Sequence, residues 1–172
     1  MAAVFVEVDG VLTPPIGQAG VEGLELLPGV GAALARLRLR AVTVVAVADR
    51  PATVALFPLL GELLALLVAD QGGELAACYA ATATNPASWR KPRPGMLLAA
   101  ARELGIDLAA SWLVGCREED AIAAGQAGCA GCVLLQARLP PMDDPGIVVA
   151  LADDLADAPR VMIPRSGGCW HA

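Results

Sequence analysis

The chain has few aromatic residues: phenylalanine, tyrosine and tryptophan together make up 3% of its 172 residues. Its core must therefore be filled by Ala, Leu and Val. Lysine is scarcer still, since Lys91 stands alone among twelve basic side chains. The one histidine, His171, lies at the far end of the sequence. No apolar run reaches membrane-spanning length. The longest, Val54 to Ala69, is broken by Pro58, Gly61 and Glu62 and falls short of the ~20 residues a spanning helix needs. No basic region precedes the first apolar run, which itself holds Glu7 and Asp9, so no signal peptide is expected. These absences set the expectation of a cytoplasmic protein with no membrane partner. Positive charge is also short. A formal net charge of −6 and a pI near 4.7 argue against nucleic acid or an anionic membrane as a partner.

Five cysteines is an odd number, and without a secretion signal it does not suggest a disulfide framework. Cys129 and Cys132 form a lone C-x-x-C. A structural zinc site needs a second pair of ligands, so these two read as small core residues entering a strand.

What is present is a sequence that is 56% hydrophobic and 17% charged, which excludes disorder. Its length suits one domain, residues 1–172. Ala3 to Val8 reads as a buried strand ended by Asp9-Gly10. Residues 13–27 form a Gly- and Pro-rich loop. Leu27-Pro-Gly-Val30 opens a helix through Arg40, with Val30, Leu34 and Leu37 at helical spacing. Ala41 to Ala48 is an unbroken, Val-rich strand of the kind covered on both faces. A helical region from Pro51 to about Ala69 carries a break near Pro58–Gly61. A strand follows at Leu75–Ala80, then an irregular loop from Thr82 to Pro94. The remaining pattern is a helix at Gly95–Leu104, a strand at Ser111–Val114, a helix at Glu118–Ala127 and a strand at Cys132–Leu135. A last strand at Gly146–Val149 precedes a short helix at Leu151–Ala156. Strands alternating with helices imply a parallel sheet covered on both faces, an α/β fold of three layers. Ligands of such sheets bind beyond the carboxyl ends of the strands. Asp9, Ala48-Asp49, the loop before Lys91 and Gly115-Cys116 all fall at predicted strand ends.

Three charged stretches therefore converge on one edge: Phe5-Val-Glu-Val-Asp9-Gly-Val11, Arg90-Lys-Pro-Arg-Pro-Gly95 and Val114-Gly-Cys-Arg-Glu-Glu-Asp120. A strand delivering two acidic residues into a tight turn can supply a nucleophile and a general acid. A distant lysine can neutralise a phosphoryl group, and a second acidic loop can hold magnesium.

Together with Leu27-Pro-Gly-Val30, Ala101-Arg-Glu-Leu-Gly-Ile106 and Ser111-Trp-Leu-Val-Gly115, these stretches make the chain resemble the haloacid dehalogenase (HAD) superfamily of phosphatases. The likeness is to its compact group of histidinol and heptose bisphosphate phosphatases, and it runs from Val4 to about Leu135. The resemblance implies a Rossmann-like HAD fold without a cap domain. It places Glu7 at the nucleophile position, where the family has aspartate, and Asp9 at the acid/base position. Lys91 takes the phosphate-neutralising place. Ala48 stands where the family has a hydroxyl residue, with Asp49 and Arg50 beside it as substrate-binding positions. The metal positions fall on Glu7, Asp9, Cys116 and Asp120, with Cys116 in place of an aspartate. Some relatives carry a zinc loop; Cys78 matches its beginning, but Ala80, Ala87 and Trp89 replace the other ligands, so no zinc is expected. Trp89 is then expected to anchor the loop by packing.

The expectation is a degenerate family member, a binding, scaffold or regulatory protein with weak or absent magnesium affinity. The alternative is a magnesium-dependent phosphomonoesterase using Glu7 and Asp9, and a third reading gives Cys116 chemistry of its own. The partners that fit are a small phosphorylated metabolite or inorganic phosphate. A protein partner or a second copy covering the open edge also fits.

Overall fold

The structure is a computed structural model that describes residues 1–15, 24–49, 57–82, 84–135 and 146–162. Six strands form one sheet in the order β3-β2-β1-β4-β5-β6, and every pairing is parallel. They are β1 (Ala3–Glu7), β2 (Thr43–Asp49), β3 (Ala77–Ala81), β4 (Trp112–Gly115), β5 (Gly131–Leu135) and β6 (Val148–Ala152). The helices are α1 (Val30–Leu39), α2 (Phe57–Asp70), α3 (Gly95–Leu104), α4 (Glu118–Ala127) and α5 (Ala158–Val161).

Alternation along β1 divides the core in two. Val4 and Val6, with Val8 just beyond the strand, pack against Val30, Leu34 and Leu37 of α1 and Leu60, Leu64 and Val68 of α2. Ala3 and Phe5 point the other way, into Met96, Leu97 and Ala100 of α3 and Ala121 and Ala124 of α4. Each such side chain, fully buried, contributes roughly 1.5–3 kcal/mol for Val, Leu or Phe. Two of the few rings, Phe5 and Trp112, are wholly buried in the central strands. The three-layer expectation is met. Strand order runs outward from β1 in both directions, so the topological switch lies between β1 and β4. A crevice forms there, beyond the strands' carboxyl ends. Glu7 ends β1 and Cys116 follows β4.

Several boundaries differ from the sequence expectation. β2 starts at Thr43 rather than Ala41, because Ala41 adopts a left-handed turn (φ 53°) just after α1. α2 runs unbroken from Phe57 through Pro58 and Gly61. Pro58 lies in the first turn, where a missing N–H costs no helical bond. The expected start at Pro51 falls outside the described residues, as does most of the 13–27 loop. The last strand runs to Ala152, where a helix from Leu151 was expected, since pairing with β5 persists through Ala152. The helix forms later, with Pro159 in its first turn and the Asp157 N–H donating to Asp154 Oδ1 at 3.0 Å. Cys129 and Cys132 are buried free thiols, as expected of core residues. No helix among the described residues is long and apolar enough to cross a membrane.

Candidate active site

Register decides which side chains meet. Glu7 pairs with Val47, and Val47 lies on the Phe5 face, so Glu7 projects toward the α3/α4 layer. There it is wholly buried. A buried carboxylate requires a partner. The Lys91 ammonium provides it, donating to Glu7 Oε2 and to Asp120 Oδ1. Both carboxylates are fully shielded, and the Lys91 side chain is only 3% exposed. Burial pulls the Lys91 ammonium below its ordinary value, and the adjacent Asp120 carboxylate opposes that pull.

Asp120 lies in the first turn of α4 and folds back under the end of β4. Its Oδ2 accepts the backbone N–H groups of Cys116 and Arg117, each at 3.0 Å. This fold-back explains Gly115, since a Cβ there would lie 2.4 Å from Asp120 Oδ2. Glu118 and Glu119 are exposed first-turn residues and stay outside the cluster.

After β1 the chain turns tightly. The Leu12 and Thr13 N–H groups donate to Val8 O, and the Gly10 N–H donates to Thr13 O at 2.8 Å. Gly10 has φ 81°, and a Cβ on it would stand 3.0 Å from Cys116 Sγ. The turn therefore presses Asp9 against the β4 loop, where the Cys116 thiol donates to the Asp9 carbonyl at 3.4 Å. Burial and the Asp120 charge hold the Cys116 thiol above its ordinary value, so it stays protonated at neutral pH.

The Lys91 loop is fixed from several sides. A short 3-10 turn, Ala87–Trp89, precedes it. Trp89 packs against Tyr79 with ring centroids 6.3 Å apart, the anchoring expected of it. Gly95 passes so close to Ser88 that a Cβ would lie 2.5 Å from its carbonyl. The Lys91–Pro92 bond is cis. At the end of β2, the Asp49 carboxylate accepts the Lys91 backbone N–H; its pKa is raised by burial, against the pull of Arg117, that N–H and Arg90.

The structure thus brings together Glu7, Asp9, Asp49, Lys91, Cys116 and Asp120. Ala48 does not join them: it is wholly buried among the α1/α2 core residues on the opposite face. Arg50 lies outside the described residues. One member had not been expected. The Arg117 guanidinium stands 4.0 Å from Glu7 Oε1, a wholly buried oxygen with no hydrogen bond. The signal in the sequence was an arginine at a helix N-cap, where Ser, Thr, Asp or Asn is favoured.

A parallel sheet carrying an acidic turn, a buried lysine and an acidic helix start defines a class, the phosphatases of the HAD fold. A family model described as HAD-hydrolase-like matches residues 88–158. The chain is 33% identical to the D-glycero-D-manno-heptose-1,7-bisphosphate 7-phosphatase of Thermosynechococcus vestitus, over 77% of this chain and 78% of that protein. It is 30% identical to the Yersinia pestis D-glycero-beta-D-manno-heptose-1,7-bisphosphate 7-phosphatase, over 95% and 96%. Its fold matches the crystal structure of D,D-heptose 1,7-bisphosphate phosphatase from B. bronchiseptica, complexed with magnesium and phosphate. That match has a TM-score of 0.76 at 25% identity and covers 92% of this chain and 96% of that one. The chain belongs to the haloacid dehalogenase superfamily, among the relatives of the heptose bisphosphate phosphatases.

Proposed function

We propose that this protein is an HAD-fold phosphatase relative whose catalytic charges satisfy one another, leaving a binding or scaffold protein with little or no turnover. One observation carries the reading. The Lys91 ammonium is buried between Glu7 and Asp120 and donates to both. In the family scheme the first carboxylate attacks phosphorus, the lysine neutralises the phosphoryl group and the helix carboxylate serves the metal. Here the glutamate's extra methylene sets the first carboxylate about a bond length from where an aspartate would hold it, and that carboxylate is paired with the lysine. A nucleophile held in an ion pair and displaced by about a bond length loses on the order of 100-fold or more.

The donors also suit magnesium poorly. The ion wants near-octahedral hard oxygen ligands. Asp120 spends Oδ1 on Lys91 and Oδ2 on two amides. Glu7 spends Oε2 on Lys91, and position 116 offers a protonated thiol, a soft and poor ligand. Ala48 supplies no hydroxyl, and its methyl belongs to the core. Asp9 remains beside the site as the acid/base candidate, with Asp49 and Lys91 as the surviving substrate-side groups. The described residues form one domain around a single sheet, and residence in the cytoplasm belongs to the same reading. The ligand that fits is phosphate or a small phosphorylated metabolite bound weakly at the mouth, and a second copy or another protein is the alternative cover.

The similarity to heptose bisphosphate phosphatases favours a second reading, a magnesium-dependent phosphomonoesterase acting on a sugar phosphate through Glu7 and Asp9. Turnover of p-nitrophenyl phosphate and of heptose 1,7-bisphosphate with magnesium separates the two. Wild type should fall far below about 1 per second, an ordinary enzyme rate. The Glu7→Asp, Cys116→Asp double variant should exceed it. A wild-type rate of about 1 per second or more rules out the scaffold reading.

A further inference from the structure

We infer that Arg117 is the built-in counter-charge of Glu7, a guanidinium that supplies the positive charge a bound metal ion would otherwise supply to the first carboxylate. The inference rests on the metal-poor reading of the site and goes beyond it by naming what took the metal's place.

Charge comes first. Glu7 and Asp120 are both wholly buried, and Lys91 supplies a single positive charge between them. Two carboxylates against one ammonium leave the buried triad one negative charge in excess. An uncompensated buried charge is costly. Among the described residues Arg117 is the next cation, with its guanidinium 4.0 Å from Glu7 Oε1. That oxygen is the buried carboxylate atom left without a hydrogen bond. The Arg117 side chain is 49% exposed, so it is free to move the roughly 1 Å that would complete a charge-assisted hydrogen bond. With it, two positive charges face two negative ones.

The second line is the helix itself. Arg117 is the N-cap of α4, and its side chain makes no capping bond there. The positive end of the helix dipole repels a cation by a few tenths to about 1 kcal/mol, and the residue types that cap well are absent. An arginine at this place works against the helix it starts. The carboxylate in front of it supplies the compensation. The third line is reach: the Arg117 charge acts on Asp49, on Lys91 and on Cys116, which come from three separate segments, so it sits centrally.

Thermal melting of the full chain tests this, with and without about 10 mM magnesium chloride at matched ionic strength. Arg117→Ala should melt about 2–5 °C lower than wild type. Arg117→Lys keeps the charge and should melt near wild type. In a Glu7→Gln background the Arg117→Ala loss should shrink by at least half, because the carboxylate it served is then neutral. Wild type should not respond to magnesium. If Arg117→Ala melts as wild type does, or loses as much in the Glu7→Gln background, the inference fails while the metal-poor reading stands. A magnesium response of wild type overturns the metal-poor reading itself and the inference with it.

Discussion

Replacing Lys91 by methionine should destabilise the fold by on the order of 3–5 kcal/mol, the cost of removing one partner from a buried ion pair. Methionine approximates the length of the lysine stem, so the change is chiefly one of charge. The loss falls unevenly on the two carboxylates. Asp120 retains two backbone N–H donors on Oδ2 at 3.0 Å. Among the described residues Glu7 retains none, because Oε1 has no hydrogen bond and Oε2 loses the one from Lys91. Neutralising the stranded group should therefore recover part of the loss. The Lys91→Met, Glu7→Gln double variant is expected to be more stable than Lys91→Met alone, with a coupling on the order of 1–3 kcal/mol. Urea unfolding followed by tryptophan fluorescence measures both, since Trp112 is wholly buried beside the site strands. For a chain of this size the single change corresponds to a melting shift of about 6–20 °C. A Lys91→Met protein within about 1 kcal/mol of wild type would refute the reasoning. So would a double variant whose losses simply add.

Gly115→Ala should cost on the order of 1–3 kcal/mol, because its Cβ would lie 2.4 Å from Asp120 Oδ2 and must displace the carboxylate or the strand end; chemical unfolding reads this directly. Cys116 should alkylate more slowly with iodoacetamide near pH 8 than a free cysteine, followed by peptide mass spectrometry. Its rate should keep climbing above pH 9.0, since burial and Asp120 raise its pKa above that value. Asp49→Asn should leave the protein as stable as wild type or more so at neutral pH. Burial raises the Asp49 pKa above 3.8, so the folded state binds the proton more readily than the unfolded chain, and this residue's contribution falls as pH rises through that window. The gap between the two proteins should close as pH is lowered toward 3.8; urea midpoints across pH would show otherwise if it widens.

The sequence brings the charged residues to one edge of the sheet because parallel strands end where their apolar runs end. Glu7, Asp49, Lys91 and Cys116 could thus be assigned to one edge before any geometry was known. α3 and α4 were legible to the residue, each closed by a glycine with positive φ at Gly105 and Gly128. The C-terminal part was not. Gly146 to Ala156 is a short apolar run in which a strand and a helix carry the same pattern, and only the pairing of β6 with β5 decides between them. Register set the other limit. Sequence order alone puts Ala48 beside Asp49 at the end of β2, but pairing of Glu7 with Val47 turns Asp49 toward the site and Ala48 toward the core. A threonine at 48 would therefore place its hydroxyl under α1 and α2. Sequence order does not choose between Glu7 and Asp120 as the lysine's partner, and the structure pairs it with both. Arg117 shows the deepest limit. Its type breaks a helix-capping rule, which marks it as unusual. What it compensates is visible only when the unpaired oxygen of Glu7, distant in sequence, is found in front of it.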